Sequence, residues 1–157
     1  MYRLGTISSL SGGNLIVNGA ESGSTQTYFS ILTAGDEVIL NEETRIVDTI
    51  TNDGKFSVIV AFASGTSGDY LYSTSKCVWL KYQIWKLELA IANYDFDLLG
   101  IDTVKNSLDE LKLNTSNTPI SQLISLKSNY ERQLTACEPA ANGEDIWVVR
   151  RYEYGTL

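Results

Sequence analysis

The chain has 157 residues, twelve basic and nineteen acidic side chains, a net charge of −7, and no histidine. The missing histidine excludes Ser-His-Asp and Cys-His triads and His-ligated zinc. The acidic balance argues against nucleic-acid binding as the main task, because that binding relies on Lys and Arg. No apolar run reaches the roughly 18 residues that span a bilayer, and residues 1–5 lack the apolar stretch of a secretory signal. We therefore expect no membrane partner and a protein assembled in a cytoplasm.

The pattern of residues 1–75 predicts a small antiparallel β-barrel or sandwich. Short runs rich in Ile, Val and Thr alternate with turns rich in Gly, Asn and Asp, as in all-β domains. Asn18-Gly19 is typical of a tight turn with positive φ, and residues 63–69 suggest a flexible loop. The predicted strands are 4–8, 14–17, 26–31 (short or irregular), 37–41, 45–51, 55–62 and 70–72.

A helix without Gly or Pro is predicted over residues 76–94. Its polar residues lie on two sides, with Lys81 and Glu88 on one face and Gln83 and Lys86 broadly opposite. Two apolar sectors lie between them, and a helix that is apolar on more than one face is buried on more than one face. In a chain this small, another subunit is a candidate to cover the second face.

The rest of the chain predicts two more helices and a terminal arm. Asp102 or Thr103 starts a helix that runs to about residue 113, and Thr118 caps a third helix with Pro119 at its first position. Residues 144–157 resemble a strand without a hairpin partner. The predicted class is thus α+β, with a β-barrel-like domain at 1–75, a segment of two to three helices at 76–138, and a C-terminal arm at 139–157.

No residue pattern indicates catalysis or a cofactor. The Gly-rich segments lack the Gly-Lys-Ser/Thr ending of a phosphate loop, and paired acids such as Glu42-Glu43 have the character of solvated surface. Cys77 and Cys137 are 60 residues apart, which is neither a disulfide framework nor a metal-ligand spacing. We expect reduced thiols, although antiparallel helices would permit a disulfide. The prediction is a non-enzymatic protein without cofactor or metal.

Aromatic residues concentrate at the junction between the two halves and in the terminal arm. Packing of the helix against the barrel, a subunit interface and sugar stacking all remain open for the junction. Trp, Tyr and Arg are enriched at protein interfaces, so we treat these residues as interface candidates. They are Tyr72, Trp79, Tyr82, Trp85, Trp147, Arg150, Arg151, Tyr152 and Tyr154.

The first 62 residues resemble a small β-domain of tailed-phage structural proteins. The resemblance rests on five stretches, although the G-x-G-T-x-F usual near residues 20–27 is missing. The stretches are Gly5-Thr6-Ile7-Ser8, Leu15-Ile16-Val17-Asn18-Gly19, Leu32-Thr33-Ala34-Gly35-Asp36-Glu37-Val38-Ile39, Ile46-Val47-Asp48-Thr49-Ile50 and Asp53-Gly54-Lys55-Phe56.

This resemblance implies a virion structural protein, a subunit of a head-tail connector or adaptor ring in the phage neck. Such rings are typically twelve-fold, contact portal and tail proteins, and let DNA pass without specific binding. The implied location is the virion, after assembly in the host cytoplasm. The alternative is a tail-fibre or baseplate module that contacts host glycans or other tail proteins.

Overall fold

A computed structural model of the protein describes residues 1–93, 96–99 and 120–141. It confirms an α+β protein whose N-terminal region is a β-barrel. Two α-helices, α1 (Lys76–Asn93) and α2 (Ile120–Ala141), accompany two short 3₁₀-helices at Phe29–Ile31 and Phe96–Leu99. The strands are β1 (Tyr2–Ser11), β2 (Ile16–Gly19), β3 (Glu37–Leu40), β4 (Glu43–Asn52), β5 (Lys55–Val58) and β6 (Tyr70–Ser73). The helix predicted at 102–113, the Thr118-Pro119 cap and residues 142–157 of the predicted arm lie outside the described residues.

The six strands form a closed antiparallel barrel in the order β1-β2-β5-β4-β3-β6. Each of the two long strands pairs with one neighbour along its first half and another along its second. In β4, Glu43 to Ile46 face β3, whereas Val47 to Asn52 face β5. Closure of this kind gives every strand a neighbour on both sides. The interior is filled by buried apolar side chains, among them Leu4, Ile7, Val17, Val38, Leu40, Val47, Phe56, Val58 and Leu71.

Two predicted local structures are wrong within the barrel. The 26–31 segment was expected as a strand, but it ends in a 3₁₀-helix whose Phe29 ring packs edge-on against Phe56 at 4.7 Å between centroids. Gly19 was expected at positive φ in a turn, yet it continues β2 and pairs with Ile7. Close packing requires glycine at this position, because a Cβ there would lie 1.8 Å from Thr27 Oγ1.

Helix α1 is buried on two faces, as its sequence predicts, and both faces are covered within the chain. One face adds Val78 and Tyr82 to the barrel core. The other adds Leu80 and Leu87 to a second core whose remaining apolar side chains come mainly from α2, with Leu123, Leu126 and Tyr130 buried. The expectation that another subunit covers the second face is therefore wrong for these residues.

Helices α1 and α2 run antiparallel and are joined by a disulfide. Cys77 in the first turn of α1 is bonded to Cys137 near the end of α2, with 5.7 Å between their Cα atoms. Further along, Lys127 Nζ lies 3.6 Å from Glu88 Oε1. The expectation of reduced thiols is wrong in this structure, because the antiparallel packing brings two distant positions to bonding distance.

Replacing Gly19 by Ala should destabilise the barrel by about 2 kcal/mol, since a new methyl group must displace the Thr27 side chain. Gly54→Ala is the matched control, because a Cβ there would meet only Asn52 Oδ1, at 3.8 Å. Chemical denaturation of both variants measures the difference. Equal stability of the two variants would contradict the packing argument.

Candidate interaction surface

The chain bends at residues 59–60, directly after β5, and exposes two apolar side chains there. Val58 N donates to Leu15 O at 2.9 Å, while the next bond to this neighbour runs from Phe62 N to Asn14 O at 3.1 Å. Between these two bonds, Ile59 N still donates to Ile46 O of β4 at 3.0 Å, and the chain then bends, so the predicted strand 55–62 ends at Val58. Ile59 and Val60 are 62% and 61% exposed, and Leu15 beside them is 39% exposed. We call Leu15, Ile59 and Val60 the barrel tip.

Three polar side chains fix the backbone directly after this bend. Asn14 Nδ2 donates to Phe62 O at 3.1 Å, and Arg45 Nε donates to Ala61 O at 3.0 Å. Glu43 Oε1 accepts the Ala63 N–H at 2.9 Å, and its other oxygen pairs with Arg45 at 2.7 Å. We call Asn14, Glu43 and Arg45 the polar clamp. Because the clamp bonds to backbone atoms, it fixes the loop and leaves the apolar side chains of the tip outside.

The loop that follows is also held by hydrogen bonds, unlike the flexible segment expected at 63–69. Asn41 Nδ2 donates to Ser64 O at 3.2 Å and to Asp69 Oδ2 at 3.1 Å. The Thr66 N–H also donates to Asp69 Oδ2, at 2.9 Å. These hydrogen bonds to the carboxylate, with Thr66 N first, lower the pKa of Asp69. Gly65 meanwhile lies against the side chains of Leu10, Leu40 and Ile7, so the loop covers one end of the barrel.

The aromatic side chains predicted as interface residues at the junction take part in packing within the chain. Tyr82 is 2% exposed and donates its hydroxyl to Gln26 O. Burial, with a smaller contribution from Tyr70, raises the pKa of its phenol, so the group stays protonated. Trp85 stacks on Tyr28 with 4.7 Å between ring centroids. Of the three roles left open for the junction, packing of α1 against the barrel is therefore one to which Tyr82 and Trp85 contribute.

The remaining interface candidates are divided between the described and undescribed parts of the chain. The Trp79 ring centroid lies 5.7 Å from that of Tyr2 and 5.6 Å from that of Tyr130, so this ring contacts both β1 and α2. Tyr72 is half-buried on β6, with its ring centroid 6.4 Å from that of Tyr70. Five candidates lie outside the described residues: Trp147, Arg150, Arg151, Tyr152 and Tyr154.

A buried lysine at the junction was missed by the sequence pattern. Helical periodicity assigned Lys86 and Gln83 to a polar face, yet they are 5% and 4% exposed. Lys86 Nζ donates to Ser24 O at 2.9 Å and to Leu99 O at 3.1 Å, and it lies 5.2 Å from the Tyr82 ring centroid. The ammonium group thus connects α1 to the barrel loop and to the second 3₁₀-helix. No local pattern indicates this, because both carbonyl acceptors come from other segments.

No family model, no curated protein and no solved structure matches this chain. Among residues 1–93, 96–99 and 120–141, no three His, Cys, Asp or Glu side chains form a group that could hold a metal ion. No helix in the described part of the chain is both long and apolar enough to span a membrane. The geometry of the barrel tip is therefore the main evidence for function.

Arg45→Ala should loosen the loop at the barrel tip and cost about 1–2 kcal/mol of stability, because it removes charge-assisted hydrogen bonds to Ala61 O and Glu43. Hydrogen exchange should become faster at the amides of residues 61–63. Lys127→Ala is the control, since its exposed ion pairs with Glu88 and Glu131 contribute little. Unchanged exchange in Arg45→Ala would refute the role of the clamp.

Lys86→Met should lower the free energy of unfolding by about 2 kcal/mol, because Met keeps the aliphatic length but cannot donate to Ser24 O or Leu99 O. The same substitution at the exposed Lys76 should have an effect below about 0.5 kcal/mol. Thermal and chemical denaturation compare the two variants. A Lys86→Met protein as stable as the Lys76→Met protein would show that these bonds add no net stability.

Proposed function

We propose that this chain is a non-enzymatic structural subunit of a phage virion, one that forms the head-tail connector or adaptor ring of the neck. The observation that carries the proposal is the barrel tip, where Leu15, Ile59 and Val60 are exposed on a loop held by the polar clamp. Exposed apolar side chains that form a contiguous patch mark protein-protein contact sites, and the proposal is that these three residues belong to such a patch.

The hydrogen bonds that hold residues 61–63, next to the tip, support this role. A loop that is already ordered loses little conformational entropy when a partner binds, so more of its apolar burial contributes to affinity. The clamp uses buried or half-buried polar groups for this purpose and leaves the apolar side chains available. Such an arrangement suits a fixed contact between subunits better than a site that must open and close.

The phage resemblance is also consistent with the barrel. Its stretches fall on β1, β2, the approach to β3, β4 and the β4–β5 turn. The first glycine, Gly5, has φ +99°, and a Cβ there would lie 2.5 Å from Thr25 O, so the G-T-I-S motif has a physical reason at that position. The resemblance thereby covers five of the six barrel strands and leaves out β6.

The proposed partners are further copies of this chain in a ring, together with portal and tail proteins. The acidic excess of residues 1–75, three basic and eight acidic side chains, suits a surface that DNA passes without binding. We include in the proposal that the residues after α2, 142–157, act as an arm whose Trp147 and Arg150-Arg151 reach a neighbour. The sequence predicted this arm from residue 139, but α2 continues to Ala141. The proposed location is the virion, after assembly in the host cytoplasm.

The glycan-binding alternative, a tail-fibre or baseplate module, receives less support. Sugar stacking needs an open aromatic face, whereas Tyr82 is buried and Trp85 is stacked on Tyr28. A glycan array on the purified protein with no binding would remove this alternative.

Ile59→Asp combined with Val60→Asp should weaken ring formation at least tenfold, because two charged groups would have to be desolvated in the contact. The control is Ile124→Asp on α2, which places one such charge on an exposed apolar residue (49% exposed) away from the tip, and it is compared with each single tip substitution as well as with the pair. Light scattering and negative-stain microscopy, with and without the portal protein, measure assembly.

Two results would count against the proposal. One is a wild-type protein that stays a monodisperse monomer and ignores portal and tail proteins in pull-down. The other is assembly that is affected equally by the Ile124→Asp control and by the tip variant, since the contact would then not involve the tip.

A further inference from the structure

We propose that the Cys77–Cys137 disulfide is a redox latch that decides how firmly α2 is held on α1. When the bond is formed, it fixes the C-terminal end of α2 to α1. When the bond is reduced, only non-covalent contacts hold α2 on α1. This inference is independent of ring formation, because it concerns the packing of one chain.

The second core separates α2 from the barrel. Its buried residues come from α1, from α2 and from Leu99 of the second 3₁₀-helix, and none of them belongs to the barrel core. Among the α2 residues whose burial the structure describes, Leu123, Leu126 and Tyr130 are the ones buried in this core. Separation of α2 from α1 would therefore leave the buried residues of the barrel core in place.

Polar contacts between the two helices add little. Lys127 pairs with Glu88 across the helices at 3.6 Å, but the Glu88 side chain is 54% exposed, and ion pairs of this kind are weak. The disulfide closes a segment of 60 residues. By the chain-entropy argument, a crosslink between residues this far apart in sequence disfavours separation of α2 from α1 by two orders of magnitude or more. The covalent bond is thus the strongest single constraint on α2 among the described contacts.

Cys77 and Cys137 are both only partly buried among the described residues, and the proposal requires that a thiol reagent reach their sulfurs. Closing the latch needs an oxidant, for which glutathione disulfide is sufficient. One cysteine thiolate attacks glutathione disulfide, forms a mixed disulfide and releases one glutathione thiolate. The second cysteine thiolate then attacks the protein sulfur of this mixed disulfide and releases the second glutathione. In total the two protein thiols lose two electrons and two protons, and one glutathione disulfide becomes two glutathione molecules.

The redox state of the compartment decides whether the bond forms. Cytosolic glutathione is mostly reduced and disfavours structural disulfides, whereas an oxidising medium favours them. A chain made in a reducing compartment would carry two thiols and a loosely held α2. The same chain would become locked after transfer to an oxidising medium.

Hydrogen exchange of the full-length protein with and without dithiothreitol tests the latch. Reduction should accelerate exchange in α2 about a hundredfold or more, while exchange in β1, β4 and β5 stays unchanged. The double variant Cys77→Ser, Cys137→Ser should behave like the reduced protein in both buffers. Equilibration in mixtures of reduced and oxidised glutathione, followed by alkylation and mass spectrometry, should show a transition between thiol and disulfide forms.

Three results would overturn the proposal. Exchange in α2 that is unaffected by reduction would show that apolar packing alone holds the helix. An equal acceleration of hydrogen exchange in the barrel strands would show that the bond stabilises the whole fold and not α2 in particular. A bond that stays oxidised at cytosolic glutathione ratios would be permanent and not a switch. None of these outcomes bears on ring assembly, which the tip variants test separately.

Discussion

The burial of α1 on two faces is the constraint on which the rest of the structure depends. An apolar helix surface exposed to water is unfavourable, and each fully buried Leu or Val contributes roughly 1.5–3 kcal/mol. The barrel accepts the face with Val78 and Tyr82, and α2 accepts the face with Leu80 and Leu87. The position of α2, the proximity of the two cysteines and the burial of Lys86 all follow from placing α1 between these two partners. In the described part of the chain, α1 thus lies between the barrel and α2.

The barrel uses polar groups in a different way at its tip. Closure of the sheet gives each strand two neighbours. Among its six described strands, the barrel therefore has no free edge at which a partner could pair with its backbone. Instead, Asn14, Glu43 and Arg45 bond to the backbone of residues 61–63 and leave Ile59 and Val60 exposed. An exposed apolar loop costs free energy in isolation, and burial against a partner would recover it. This balance is the physical basis for the proposed contact at the tip.

Much of the fold could be predicted from the sequence, and much of the site could not. Alternating runs and turn residues predicted most strands, and the absence of Gly and Pro over 76–94 predicted α1 almost to the residue. The apolar pattern predicted one continuous strand over 55–62, whereas β5 ends at Val58. That end depends on where Asn14 and Arg45 lie in space, and they are distant in sequence. Gly19 shows the same limit, because its requirement for glycine comes from Thr27 and not from a local turn.

The sequence by itself determined the α+β fold class, the change from strands to helices near residue 75 and the two apolar faces of α1. It also determined that no His-based chemistry is available. These properties are local or compositional, since periodicity and turn preference act over a few residues. Only the tertiary structure decided what covers each face, that Lys86 lies inside, and that Cys77 meets Cys137. Those outcomes depend on the mutual placement of segments far apart in the chain, and a helical pattern carries no information about which partner will pack against it.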